Sequence, residues 1–463
     1  MMRDRRLWLL LAAALAVRLA LMPLPDPFDA DLTTFWLPWM AYGAQHGLAQ
    51  LYLEGHPPVN YPPLYLALLV GLGKLYGLVV PGFEYTPLQS VLIKLPAVLA
   101  DLGITALLYA AAWRVVQIRD ASAPSVSTTG THDRTTARPN DRNKESWFPL
   151  LAAALWALNP AVIYVSAFWA QVDSIHTLWM LAALLAALGR RWGWSGVLMA
   201  LALLTKLHAV VLLPLLFVLA LRHSWRALAG GALGLGGTLA LGLLPFALNG
   251  MLDRVLLVYF GAVGFYPKLS VNAFNGWFLV QTLSVQWLGR EILDTARVIG
   301  PVTLRWVGLA LLGGYTAVLL GLLWPRLEPG RRALDGQTTA VRPWLPAQAR
   351  LLVFFAAGLL VFGFFSLATE MHERYGLPAL AFLALPAAFW RRALWPYLLL
   401  TVVFSLNLLR VLPWGPGIFF ALESIPGDRL LVSLASVILF VWLSILYLRA
   451  ARRPAGQKAG SAL

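Results

Sequence analysis

The sequence contains no cysteine. That excludes disulfides, thiolate metal sites and a cysteine nucleophile, and it leaves the redox compartment open. Charge is scarce as well, at 12% of residues, about half of what a water-soluble fold of this length carries. No glycine-rich dinucleotide fingerprint and no phosphate-binding P-loop occurs. No internal repeat stands out, which weighs against an inverted-repeat transporter. Abundant instead are apolar residues, 59% of the 463, and tryptophan, with 20. Mean hydropathy is +0.71. The composition is that of an all-α polytopic membrane protein, because helices satisfy their own backbone groups in lipid. Most of the tryptophans are expected at the membrane interfaces.

Apolar segments long enough to span fall at 7–24, 91–117, 148–168, 174–189, 194–206, 208–222, 227–249, 302–324, 350–367, 375–390, 393–412 and 429–449. These predict about 12 transmembrane helices, within a range of 10 to 13. Pro214 and the polar Lys206 and His208 place a break near 206 within 194–222. Net charge is +15, but its distribution argues against nucleic acid. Most of the Lys and Arg lie in loops that a twelve-span topology puts on one side, the positive-inside pattern of a cytoplasmic membrane. Both termini are then cytoplasmic. Segments 25–90, 169–173, 250–301, 368–374 and 413–428 are extracytoplasmic, with 272–300 lying along the interface. The N-terminal Arg3, Arg5 and Arg6 followed by an apolar run resemble a signal peptide. The run to Leu24 is long for one, so it reads as an uncleaved first helix.

A single transmembrane domain over 1–463 is expected. Its 25–90 loop carries amphipathic helices in the interface. Residues 119–146 are polar and Ser/Thr-rich and are expected to be a disordered cytoplasmic loop. Residues 325–347 form a second cytoplasmic loop and 450–463 a cytoplasmic tail.

Polar residues gather in the extracytoplasmic segments. Asp29 and Asp31 follow the first span, and Tyr61 opens a Tyr-Pro-Pro-Leu tetrapeptide about thirty residues later. Gln171 and Asp173 join the third and fourth spans. Lys206 and His208 lie at a turn. Asn272, Asn275 and Trp277 lie in SVNAFNGW, and Glu370, His372, Glu373 and Arg374 in TEMHERY. Polar groups at membrane depth are costly, so such a gathering is a candidate site. Bland readings stand beside it. The aspartates could cap the next helix, Asn159-Pro160 could be a kink, Lys94 and Asp101 a structural pair, and HERY a solvated turn. The spacing of His372, Glu373 and the aspartates has no metal-ligand signature.

Taken in order, DAD after the first helix, NYPPLYLALL, NPAVIYVSAFWAQVDSI, LLTKLHAVVLLPLL, NAFNGW and TEMHERYGLP resemble the GT-C superfamily of polytopic glycosyltransferases. The similarity is to bacterial relatives of the GPI mannosyltransferases and of the lipid-linked glucosyltransferases of N-glycan assembly. It implies an inverting transfer of a hexose, of mannose or glucose type, from a polyprenyl-phosphate donor to an extracytoplasmic lipid, glycan or protein acceptor. No cofactor and no metal are implied. Asp29 matches the first acidic position, the base that deprotonates the acceptor hydroxyl, and Asp31 the second. His372, Arg374 and Lys206 would hold the donor phosphate. Tyr61, Gln171, Asp173, His208, Asn272, Asn275 and Glu373 would bind substrate. One departure is WAQVDS, which is closer to the mannosyltransferase relatives than to the glucosyltransferase branch and leaves the sugar open. A lipid-linked oligosaccharide transporter or flippase, and an O-antigen ligase or polymerase, are the competing classes.

Overall fold

The computed structural model describes residues 4–25, 31–55, 57–121, 147–327, 344–413 and 427–453. Asp29, the greater part of the 119–146 and 325–347 loops, and the end of the 450–463 tail lie outside these. Each of the twelve apolar segments folds as helix, in the order Arg5–Leu21, Pro87–Ala121, Trp147–Ala157 with Pro160–Phe168, Asp173–Leu188, Trp192–Thr205, Leu207–His223, Trp225–Leu248, Leu304–Leu323, Ala347–Leu367, Pro378–Phe389, Arg391–Val411 and Asp428–Arg452. Among the described residues, six helices are long and apolar enough to cross a membrane on their own. The pair Trp147–Ala157 and Pro160–Phe168, bent by 44°, makes a seventh. Five apolar helices among the described residues, Pro63–Gly77 included, are shorter, so the twelve expected segments are helical but only six or seven have full spanning length. The protein is an all-α, multi-pass membrane protein.

Local chemistry explains the breaks. Asn159 accepts from the Ala161 amide at 3.1 Å and donates to Thr401 Oγ1 at 2.9 Å. The Asn159-Pro160 kink is therefore a helix start stitched to the Arg391–Val411 helix, a structural role. Lys206 is fully extended (φ −159°, ψ 129°) and ends the Trp192–Thr205 helix where the break was expected. Helices Trp192–Thr205 and Trp225–Leu248 approach through glycine. A Cβ on Gly196 would stand 2.0 Å from the Gly231 carbonyl oxygen, and one on Gly234 2.1 Å from that of Gly193. Small residues let helix backbones meet where no hydrophobic effect drives association. The same helix turns Leu233, Leu241 and Leu248 outward, where lipid takes the place of a core.

Two further departures from the sequence expectation concern pairing. Lys94 and Asp101 are both buried but do not pair with each other. Lys94 Nζ donates to the carbonyls of Met22 and Leu24 at 3.2 and 2.6 Å, while Asp101 Oδ2 takes Arg18 Nε at 2.8 Å and the Ser166 hydroxyl at 2.6 Å. Two short two-stranded sheets also interrupt the all-α pattern. Ser270–Val271 pairs in parallel with Met371–His372, and Arg297–Ile299 pairs antiparallel with Val302–Thr303. Their two- and three-residue lengths leave no periodicity to read.

Arginine is concentrated at one set of helix ends, while Arg305, Arg374, Arg410 and Arg429 stand at the other. Arg5, Arg6, Arg119, Arg190, Arg191, Arg222, Arg226, Arg326, Arg350, Arg391, Arg392, Arg449 and Arg452 lie at or beside one set of ends. At the opposite ends stand Asp31, Gln171, Asp173, Lys206 and the 369–374 loop.

Candidate functional site

Six helix ends converge on the site: the C-terminal ends of Arg5–Leu21, the 160–168 segment, Trp192–Thr205 and Ala347–Leu367, and the N-terminal ends of Asp173–Leu188 and Pro378–Phe389. Two π-helical turns flank it, Leu32–Trp36 directly after Asp31 and Tyr164–Phe168 directly before Trp169. A π turn inserts one residue per turn and re-aims the side chains beyond it, which is why such turns recur at functional sites. Ala170 then takes a left-handed φ of 65°. Asn272 and Glu370, both at φ 64°, hold the same unfavourable region in the other two loops of the site. Non-glycine residues in that conformation cost about 1–2 kcal/mol each.

Asp31 does not cap the following helix through its side chain. Its Oδ2 instead accepts from Trp169 Nε1 at 2.9 Å and from Gln171 Nε2. The hydroxyl of half-buried Tyr61 faces Arg374, Asp173 and Asp31. Its ring lies edge-on to Trp36 at 5.0 Å. Asp173 Oδ1 pairs with Lys206 Nζ at 2.9 Å, and its Oδ2 lies 3.9 Å from Arg374 Nε. Arg374 Nη1 donates to Glu373 Oε1, and His372 Nδ1 lies 3.8 Å from Glu373 Oε2. Burial would raise the Glu373 carboxyl, but Arg374 and His372 outweigh burial and hold it at about 2. The guanidinium of Arg374 sits 5.4 Å from the Trp169 ring centre, and Lys206 Nζ 4.9 Å from that of Tyr375. His208 packs on Tyr375 with ring centres 3.8 Å apart.

Of the residues singled out from sequence, Asp31, Tyr61, Gln171, Asp173, Lys206, His208, His372, Glu373 and Arg374 thus come together. Asn272 joins them through its backbone, bridged to His372. Asn275 stands apart: Oδ1 accepts from the Phe278 amide and Nδ2 donates to the Phe365 carbonyl, so both ends of its amide hold structure. Three residues of the cluster are not among the candidate site residues of the sequence: Trp169, His176 and Tyr375. His176 lies three residues after Asp173, hence on the same helix face. Trp169 and Tyr375 each adjoin a polar motif.

Several buried polar atoms in this cluster have no hydrogen-bond partner among the described residues: Gln171 Oε1, Asp173 Oδ2, Ser174 Oγ, His176 Nδ1, His208 Nδ1 and Arg374 Nε. Native proteins rarely leave such atoms bare, and a polar substrate or water is their natural complement. Among the described residues, no group of three or more His, Cys, Asp or Glu is placed to hold a metal ion.

A second ionic cluster fastens the loops that carry the site. Arg305 makes a two-point contact with the buried Asp294, at 2.8 and 3.0 Å, and lies 3.0 Å from Glu370 Oε1. Glu370 also accepts from the backbone amides of Gly264 and Tyr266. The Tyr266 ring rests edge-on against His372 at 5.0 Å.

Comparison with known proteins places these observations. An archaeal oligosaccharyltransferase from Archaeoglobus fulgidus, solved tethered to an acceptor peptide containing the NVT sequon, aligns with 98% of this chain at 15% identity and a TM-score of 0.40. The chain spans 56% of the length of that enzyme. No curated protein matches the sequence. Residues 40–281 match the model of the family described as GPI transamidase subunit PIG-U. That segment begins after Asp31 and takes in Tyr61, Gln171, Asp173, Lys206, His208 and Asn272. The protein belongs to the PIG-U family of membrane proteins.

Proposed function

We propose that the protein is an inverting membrane glycosyltransferase that moves a hexose from a polyprenyl-phosphate donor to an acceptor hydroxyl, with the Asp29/Asp31 pair supplying the base. The observation that carries it is the environment of Asp31. One oxygen is fixed by two neutral N–H donors. Asp173 and Glu373, by contrast, are each in contact with a cation. A carboxylate anchored on one oxygen keeps its other for an incoming hydroxyl. The base takes the hydroxyl proton, the acceptor oxygen attacks the anomeric carbon, and the bond to the phosphate oxygen breaks with its electron pair leaving on the lipid phosphate. Arg374, Lys206 and His372 are the groups available to meet that charge. Since Lys206 and Arg374 are already paired, donor binding on this reading shifts both cations off Asp173 and Glu373. Asp31 is thus put forward as the base, with Asp29, to which the sequence resemblance gives that role, as the second residue of the pair.

On this reading the site faces the extracytoplasmic side and both termini the cytoplasm, an orientation supported by the arginines gathered at the helix ends away from the site.

A second reading has its own support in the family match. The matched family is described as a GPI transamidase subunit, and in such a role the same cluster would recognise a lipid-linked glycan within an assembly without transferring a sugar. Purified protein given a radiolabelled polyprenyl-phosphate hexose and membrane-lipid acceptors separates the two. Release of lipid phosphate with label on an acceptor supports the transferase. Saturable binding of the donor with no release supports the recognition subunit.

A further inference from the structure

A fully buried ion pair lies inside the bundle, outside the cluster that forms the site. The side chains of Arg18 and Asp101 are both 0% exposed, with Arg18 Nε 2.8 Å from Asp101 Oδ2. Arg18 Nη1 also donates to the carbonyls of Ala14 and Ala157, at 3.1 and 2.9 Å. Asp101 Oδ2 accepts from the Ser166 hydroxyl at 2.6 Å, and that hydroxyl also stands 3.0 Å from the Val162 carbonyl. Arg18 Nη2 and Asp101 Oδ1 have no hydrogen-bond partner among the described residues. A buried pair recovers its desolvation cost only when its remaining donors and acceptors are satisfied. This one is therefore a poor source of stability, and ionisable residues inside a membrane bundle ordinarily have a functional reason.

The contacts show what the pair holds. Ala157 ends the Trp147–Ala157 helix. Its carbonyl lacks the usual helical partner, because the Ala161 amide bonds to Asn159 Oδ1 instead. Arg18 takes that carbonyl. Through Asp101 it also holds Ser166, on the other side of the kink and in the middle of the π turn Tyr164–Phe168. One guanidinium thus spans the 44° bend. Three residues beyond Ser166 is Trp169, and five beyond is Gln171, the two donors that fix Asp31 Oδ2. Arg18 itself lies three residues before the end of the helix whose chain continues to Asp31. The aspartate and both of its donors are tied to a single buried cation.

We infer that Arg18, Asp101 and Ser166 are positioning residues for Asp31: the triad sets the angle at which the 160–168 segment delivers Trp169 and Gln171 to the carboxylate. The inference rests on the transferase reading for its effect on turnover, but the placement it requires is measurable without any sugar transfer. Misplacing a reacting group by about 1 Å costs on the order of 10²-fold in rate.

The test exploits the absence of cysteine from the full chain. Asp31→Cys with Gln171→Cys puts two thiols where the carboxylate and its donor meet, and a short bifunctional methanethiosulfonate joins them. Joining should slow about tenfold or more when Arg18→Met with Asp101→Leu, or Ser166→Ala alone, is added. Ser166→Ala leaves the ion pair intact and breaks only its link to the π turn, so it keeps the fold even if the double variant does not. In the chain with native Asp31 and Gln171, the same variants should lower kcat about tenfold or more and leave the KM for a polyprenyl-phosphate hexose unchanged. A merely structural pair would lower the amount of folded protein and leave both readings on the folded fraction unchanged. Joining at the parent rate in both variants, or wild-type kcat in both, would overturn the inference. Absence of transfer by the wild-type chain would count against the transferase reading alone, and the joining rate would then decide the inference by itself.

Discussion

Gln171 donates its side-chain amide to Asp31 across 140 residues of sequence, joining the loop after the first helix to the loop after the kinked one. The contact exists because a π turn and a left-handed Ala170 aim Gln171 back toward the first helix end. A hydrogen bond to a charged acceptor contributes about 1.5–3 kcal/mol. Gln171→Met keeps the volume and removes the donor. Turnover is expected to fall on the order of tenfold to a hundredfold, with donor affinity retained. Wild-type turnover in this variant would mean that Asp31 needs no anchoring.

The Arg18–Asp101 pair is buried on both sides and joins the first helix to Pro87–Ala121. Removing one partner strands a charge inside the protein, at about 3–5 kcal/mol. Arg18→Met should therefore sharply lower the unfolding midpoint in detergent, whereas Arg18→Met with Asp101→Leu should recover most of the loss. A double variant as unstable as the single one would show that the pair does more than neutralise itself.

Glu373 predicts an acid limit. Its folded value of about 2 lies below the ordinary 4.5. A depressed carboxylate contributes stability that is present above the unfolded value and is lost as pH falls through 4.5 toward 2. The shift corresponds to about 3 kcal/mol. Glu373→Gln should flatten the stability profile over that window. An unchanged slope between wild type and variant would contradict the assignment.

Glu370 works in the opposite sense. Burial, then its hydrogen bond and repulsion with Asp294, raise it to about 7, against the help of the Tyr266 amide and Arg305. A raised carboxyl favours the protonated folded state, so stability falls as pH rises from about 4.5 to about 7 and is level above that. Glu370→Gln should remove this fall. Stability measured from pH 4.5 to 8 checks it, and parallel profiles would show that the clasp does not titrate there.

The apolar segments, the break at Lys206 and the convergence of the polar motifs were legible, because helical hydropathy is local and parity fixes which ends meet. The pairings were not. Whether Asp101 meets Lys94 or Arg18 depends on how neighbouring helices rotate, which no single-helix pattern records. Asn275 was expected to bind substrate but caps the Gly276–Leu288 helix, and an Asn directly before a helical run does carry that signal. The twelve-span expectation counts several runs near the lower length limit, and the chain mixes full-length helices with short and kinked ones around the site.

The central claim is that an aspartate beside the first helix removes the acceptor proton. The most direct measurement is single-turnover transfer from a radiolabelled polyprenyl-phosphate hexose by wild type, Asp31→Asn and Asp29→Asn, with donor binding measured in parallel. Asn keeps the size and the hydrogen bonds but cannot take the proton, and loss of a general base costs about 10²–10⁴-fold. The account predicts a fall of at least two orders in Asp31→Asn with donor still bound, and a milder loss in Asp29→Asn. The reverse order would move the base to Asp29 and leave Asp31 as the residue that orients the acceptor. Transfer at the wild-type rate in both variants would contradict the account.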